Sequence, residues 1–159
     1  MSERLNFRSE SPEIFRKFVE FSGRIAHGAI EPGLLDLVFL RASQLNGCAF
    51  CLDMHSKQAT IHGERPLRLY TLAGWRETTL FSPRERAALA WTEVLTQLPP
   101  HGVPDETYAH VREALSDREL SDLTYAITAI NAWNRLNIAF RPVPGSLDKD
   151  FGLDKANLA

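Results

Sequence analysis

Both cysteines of the chain lie in one short run, Asn46-Gly47-Cys48-Ala49-Phe50-Cys51-Leu52-Asp53-Met54-His55. They are three residues apart, and a histidine follows the second by four. Offsets of three and four bring helical side chains to one face, so Cys48, Cys51 and His55 are predicted to share a stripe of two thiols and an imidazole. Such a stripe suits the making and breaking of a disulfide. Helical neighbours at i and i+3 have Cβ atoms about 5–6 Å apart, whereas a disulfide wants about 3.5–4.5 Å. A Cys-x-x-Cys bridge therefore forms only with local adjustment, and its small loop restricts the unfolded chain very little. It is a poor staple and a good redox pair.

Reactivity requires a thiolate. Asn46 is expected to cap the helix, placing Cys48 in the first turn, where the dipole and free N–H groups favour an anion. His55, one turn past Cys51, is placed to take its proton or pair with its thiolate. An imidazole in that role wants a carboxylate to orient it. Asp36 on the preceding helix is one candidate, and Glu85 and Glu93 on a later helix are others; Asp53 points to a different face. Glu85 also has a structural explanation in a capping box, and Glu93 one as a surface glutamate. Structural zinc wants four ligands, and only three converge here with no second cysteine pair, so neither metal nor cofactor is expected. Two small buried thiols lying close by chance are the plainest alternative. His27, His62, His101 and His110 find no partner in the sequence and read as loop or surface residues.

The elements that must position this stripe are helices. Ser11-Pro12 opens one, with Ile14, Phe15, Phe18, Val19, Ser22 and Ile25 at helical spacing. A loop over Gly28 to Gly33 leads to a second, carried by Leu34, Leu37, Val38, Arg41 and Leu45 up to Asn46-Gly47. The third runs from near Cys48 to about His62, with Gly63 as its stop. A short helix around Leu67 to Leu72 ends at Gly74. Ser82-Pro83-Arg84-Glu85 and Ser116-Asp117-Arg118-Glu119 both fit capping boxes, the second opening the longest helix, whose stripe is Leu120, Leu123, Ile127, Ile130 and Asn134. Between them lies a helix over Pro104 to Leu115. Arg141-Pro142-Val143-Pro144-Gly145 ends the last helix, and the residues beyond about 141 read as a tail without periodicity. Asn131, Asn134 and Asn137 are unusual on a long helix and are expected to bond inside an oligomer. Phe15, Phe18, Trp91 and Trp133 read as core or subunit interface. Alternating apolar and polar runs are absent, so no strands are expected and the fold class is all-α.

A chain of 159 residues is most simply one domain, 1–159, able to bury a core without staples. The formal charge of −2 and the scattered basic residues exclude a nucleic-acid partner. No apolar run approaches the roughly 18 residues of a membrane span, and the start Met1-Ser2-Glu3-Arg4-Leu5 lacks the apolar core of a signal peptide. A soluble, cytoplasmic protein is expected, and in a reducing compartment a lone close cysteine pair points to redox chemistry.

The run Leu40 to His55, with Glu85-Arg86-Ala87-Ala88-Leu89-Ala90-Trp91-Thr92-Glu93 and Ile130-Asn131-Ala132-Trp133-Asn134-Arg135, resembles the alkylhydroperoxidase D-like branch of the carboxymuconolactone decarboxylase family. The resemblance covers about residues 10–145. It implies an all-helical homo-oligomer, a trimer or hexamer, that reduces organic hydroperoxides or hydrogen peroxide with electrons from a dithiol donor. It implies that Cys51 is peroxidatic, that the more exposed Cys48 resolves the sulfenic acid to a Cys48–Cys51 disulfide, and that His55 belongs to the proton relay. The family glutamate twelve residues before the first cysteine is Asp36 here, one methylene shorter, and the histidine some members carry between the cysteines is replaced by Ala49-Phe50. A thiol–disulfide adaptor and a non-enzymatic redox-sensing oligomer are the alternatives. Decarboxylase or lactone chemistry, which does not depend on a cysteine pair, is disfavoured.

Overall fold

The computed structural model describes residues 2–158. Among them nine α-helices and two 3-10 turns are found and no strand: α1 (Phe7–Glu10), α2 (Pro12–Ile25), α3 (Pro32–Asn46), α4 (Ala49–Ile61), α5 (Pro66–Thr71), α6 (Pro83–Thr96), α7 (Asp105–Ala114), α8 (Asp117–Phe140) and α9 (Asp148–Phe151). Pro12, Pro32, Pro66 and Pro83 each sit in a first turn, where the missing N–H costs nothing and φ is already helical. Both predicted capping boxes form, Ser82 with Glu85 and Ser116 with Glu119.

The core is built on α3, which packs against α4, α6 and α8. Leu34, Val38, Ala88, Trp91, Val111, Leu123 and Ile127 fill one side of it, contributed by α3, α6, α7 and α8. Leu37, Leu40, Ala59, Leu72, Trp75, Phe81 and Leu89 fill the other. A third cluster, Ala42, Cys48, Phe50, Cys51 and Ile130, joins α3, α4 and α8. The cysteines are thus core residues of a rigid three-helix contact.

Two elements depart from the sequence expectation. Beyond Arg141, which ends α8 at φ 56°, the chain folds back over α4 as α9 and a 3-10 turn, Leu153–Ala156. Lys57 fixes this return, its Nζ 2.8 Å from Asp53 and 2.6 Å from Asp148, and Leu153 is buried beneath it. That anchor lies in another helix, so local periodicity could not reveal it. Helix α2 is strongly amphipathic, yet none of its residues is buried. It lies along α8 with Phe18 against Trp133, ring centres 4.3 Å apart, and covers a cavity rather than a packed core.

Candidate active site: a thiol pair under an apolar cavity

The turn between α3 and α4 sets the site. Gly47 takes φ +68°, a conformation glycine adopts without a Cβ penalty. Its N–H bonds the carbonyl of Gln44, and that of Cys48 the carbonyl of Ser43, which is a Schellman closure of α3. The chain reverses at once into α4, and the residue capping α4 is Cys48, not Asn46: the Cys48 sulfur accepts the Cys51 N–H at 3.4 Å. Asn46 still belongs to α3, and its side-chain amide instead donates to Asn131 at 3.0 Å and Asn134 at 2.8 Å.

Cys48 and Cys51 are free, their sulfurs 2.8 Å apart, longer than the ~2.05 Å of a disulfide but in direct contact. Cys48 is 1% and Cys51 2% exposed, which corrects the expectation that Cys48 is the more open of the two. The pair is polarised. The S–H of Cys48 points at Cys51 and is held protonated by it, and burial adds to this, so the Cys48 thiol is pushed far up. Cys51 is shifted down, chiefly by that hydrogen bond from Cys48 and next by Asn137, whose Nδ2 donates to its sulfur at 3.3 Å; burial opposes both. Cys51 also lies in the first turn of α4, where the helix end favours an anion. Of the two, Cys51 is the thiol that ionises more readily.

Above Cys51 opens a cavity of about 380 Å³, walled by Phe15, Phe39, Phe50, Met54, Ile130 and Trp133. Cys51, His55 and Asn137 reach it and Cys48 does not. The His55 ring lies 5.0 Å from that of Phe39, and burial pushes its pKa down to about 4, a hydrogen bond with Gln58 opposing. The imidazole is neutral at pH 7. Its Nδ1 faces Gln58 Oε1 at 3.2 Å; an amide oxygen only accepts, so Nδ1 carries the proton and Nε2 the free lone pair. Cys51 thus shares a mostly apolar cavity with a neutral base.

The three candidate carboxylates lie elsewhere. Asp36 is buried and meets Nδ1 of His62 at 2.6 Å; among the described residues it makes no hydrogen bond to His55. The antiparallel run of α3 and α4 explains this, since Phe39 stands opposite His55 and Asp36, a turn earlier, stands opposite the far end of α4. Burial raises the Asp36 carboxyl, and the His62 hydrogen bond opposes it. His62, expected to lack a partner, therefore has one. Glu85 is taken up by Arg68 and by its capping box. Glu93 is taken up by Arg41 (2.7 Å), Arg76 (2.7 Å) and the indole of Trp75 (2.8 Å).

Asn137 was not foreseen as a site residue, although asparagines at 131, 134 and 137 recur every three positions. They bond within this subunit: Asn134 donates to Ser43 Oγ at 3.1 Å, and Asn131 to Thr96 at 3.0 Å. We expect Asn137→Ala to raise the Cys51 pKa and slow its alkylation by iodoacetamide about tenfold at neutral pH, the scale of one hydrogen bond to a charged group. The rate of alkylation against pH checks this.

A family model for the carboxymuconolactone decarboxylase family matches residues 12–94. The uncharacterized protein YdfG of Bacillus subtilis (strain 168) is 39% identical over 139 residues, covering 87% of this chain and 95% of YdfG. The crystal structure of ATU0492 from Agrobacterium tumefaciens, a protein of unknown function named as a candidate AhpD antioxidant defence protein, superposes with a TM-score of 0.87 at 35% identity, over 90% of this chain and 98% of that one. The debrominase Bmp8 shares the fold, with a TM-score of 0.76 at 19% identity over 93% of this chain and 79% of its own. By the matched model, the near-full-length relatives and the all-helical frame, the chain belongs to the carboxymuconolactone decarboxylase family, in its alkylhydroperoxidase D-like branch.

Proposed function

We propose that the protein is a thiol-dependent peroxidase acting on organic hydroperoxides, with hydrogen peroxide as a smaller substrate, and using no prosthetic group. The observation that carries this is the asymmetry of the pair: Cys51, the more acidic thiol, faces the cavity, and the sulfur of Cys48 lies 2.8 Å behind it, out of the cavity's reach. His55 accepts the Cys51 proton at Nε2. The thiolate attacks the distal peroxide oxygen, the O–O bond breaks, and His55 returns the proton to the departing alkoxide, giving an alcohol and Cys51 sulfenic acid. The Cys48 thiol then displaces water from that sulfur to form the disulfide. An external dithiol restores both thiols and leaves as its own disulfide. Asp36 serves at a remove, fixing the far end of α4 through His62. The apolar walls favour an organic substrate over hydrogen peroxide. The exposed apolar side chains Ile14, Phe21 and Tyr125 on α2 and α8 support a homo-oligomer, a trimer or hexamer.

The test is to add cumene hydroperoxide to the fully reduced protein and count thiols by mass spectrometry. Both thiols are expected to disappear with one equivalent of peroxide, with loss of two hydrogens. In Cys48→Ser, Cys51 is expected to stop at the sulfenic acid, gaining one oxygen and reacting with dimedone. Thiols that survive peroxide yet exchange quickly with a small disulfide would replace the peroxidase by the adaptor.

A further inference from the structure

The cavity has one charged wall residue besides the reacting thiol. Arg8, on the short helix α1, lines it together with Phe7 and Phe50. Its guanidinium carbon stands 5.7 Å from the centre of the Phe7 ring and 5.9 Å from that of Phe50, and Phe50 directly precedes Cys51 in the chain. No carboxylate lines the cavity. Among the described residues, no hydrogen bond or ion pair satisfies the Arg8 guanidinium.

This sets Arg8 apart from every other sheltered arginine of the protein. Arg41 is held by Glu93, Arg68 by Glu64 and Glu85, Arg84 by Glu31 and Glu119, and Arg112 by Asp117. Arg86 donates to the carbonyls of Trp75 and Thr78. The Arg8 donors are unpaired and remain open to solvent, so the guanidinium is free to meet an anion that enters the cavity. The two aromatic faces orient the cation and leave its donor edges free. They do not neutralise it.

We propose that Arg8 is the anchor for an anionic group on the substrate, so that the site takes hydroperoxides of carboxylic acids: an apolar body filling the aromatic cavity, a peroxide at Cys51, and a carboxylate at Arg8. This rests on the peroxidase reading for the peroxide end, but the anion site itself does not. Planar bidentate pairing makes a carboxylate the natural match for a guanidinium. An uncharged hydroperoxide of the same shape would fill the cavity and leave Arg8 unpaired.

Two measurements test the proposal separately from peroxide chemistry. The first compares cumene hydroperoxide carrying a para-carboxylate with its methyl ester, as the ratio of their kcat/KM values. The ratio is expected to be about tenfold or more in favour of the acid, the scale of one sheltered charge-assisted hydrogen bond, to fall towards one in Arg8→Gln, and to be partly restored in Arg8→Lys. The second titrates the inert 4-isopropylbenzoate and its amide into Cys51→Ser by calorimetry. The acid is expected to bind about tenfold tighter than the amide, and Arg8→Gln in that background to remove the difference. Acid and ester consumed equally well through Cys51 would overturn the anion anchor and leave the peroxidase standing. Arg8-dependent binding of the acid, with no hydroperoxide oxidising Cys51, would support the anchor and overturn the peroxidase.

Discussion

Cys51→Ser is expected to abolish hydroperoxide consumption, lowering it at least about a thousandfold, because a neutral hydroxyl replaces an activated thiolate as the nucleophile. The fold should survive. Serine is smaller than cysteine, and the hydrogen bonds from Asn137 and Cys48 have an oxygen to meet in place of sulfur. The pH dependence of the native protein gives the same conclusion independently. Cys51 is shifted down from its ordinary value of 9.0, so the rate should rise with pH and reach its plateau earlier than for a free thiol. His55 is pushed down to about 4, so it stays neutral across an assay from about pH 5 to about pH 9 and contributes no limb of its own. A stopped-flow profile of Cys51 oxidation with a single ionisation below 9.0 is the expected result. A second limb beside the Cys51 ionisation, lost in His55→Gln, would mean that His55 titrates within the assay range, and its assignment as a neutral base would have to be withdrawn.

The second large effect is on stability and falls far from the thiols. Glu93 holds together Arg41, Arg76 and the indole N–H of Trp75, and Trp75 is a core residue. Glu93→Ala leaves a sheltered guanidinium and a buried indole without their acceptor, a loss of about 3 kcal/mol. In a chain of this size that lowers Tm by roughly 6–12 °C. The pH dependence has a definite sign. Burial raises the Glu93 carboxyl, but the hydrogen bonds from Trp75, Arg76 and Arg41 outweigh it and the net shift is down. A carboxylate with a depressed folded pKa stabilises fully above its unfolded pKa, near 4.5, and loses that contribution as pH falls through the folded value. Neutral, buried His55 adds to the same trend, because the unfolded chain binds a proton near 6.5 and the folded chain only near 4. Thermal unfolding should therefore show falling Tm below about pH 6, and the part due to Glu93 should vanish in Glu93→Ala. The same variant is informative about the site. If Glu93 acted on the thiols, its removal would move the Cys51 ionisation; an unmoved ionisation with a lowered Tm is the expected pair of results.

Helices, caps and breaks were legible in the sequence wherever the cause was local. Proline in a first turn, serine answered by glutamate three residues later, and glycine at a stop each act over a few residues, and each appears where its residues stand except at Gly74, through which a 3-10 turn, Leu72–Glu77, continues. The cysteine stripe was legible for the same reason, since the spacing of Cys48, Cys51 and His55 is a property of one helix. Its polarity was implied by the family resemblance and not by the spacing. Which thiol ionises depends on Asn137, 86 residues away in the chain, and on a Schellman turn that makes Cys48 the cap of α4 in place of Asn46.

The partners of charged groups were decided by packing alone. By sequence Asp36 is equally placed to serve His55 or to be solvated, and the antiparallel pairing of α3 with α4 gave it to His62 instead. Glu85 and Glu93 met arginines on other elements. The tail showed no local signal because Lys57, braced by Asp53 one turn before it, holds it through Asp148, 91 residues further on. By itself, then, the chain determined an all-helical frame and a close thiol pair, because both follow from neighbours within a turn or two. Only the tertiary structure decided which sulfur faces the cavity, what lines that cavity and which carboxylates are already engaged, because burial and ion pairing depend on distances between segments remote in sequence.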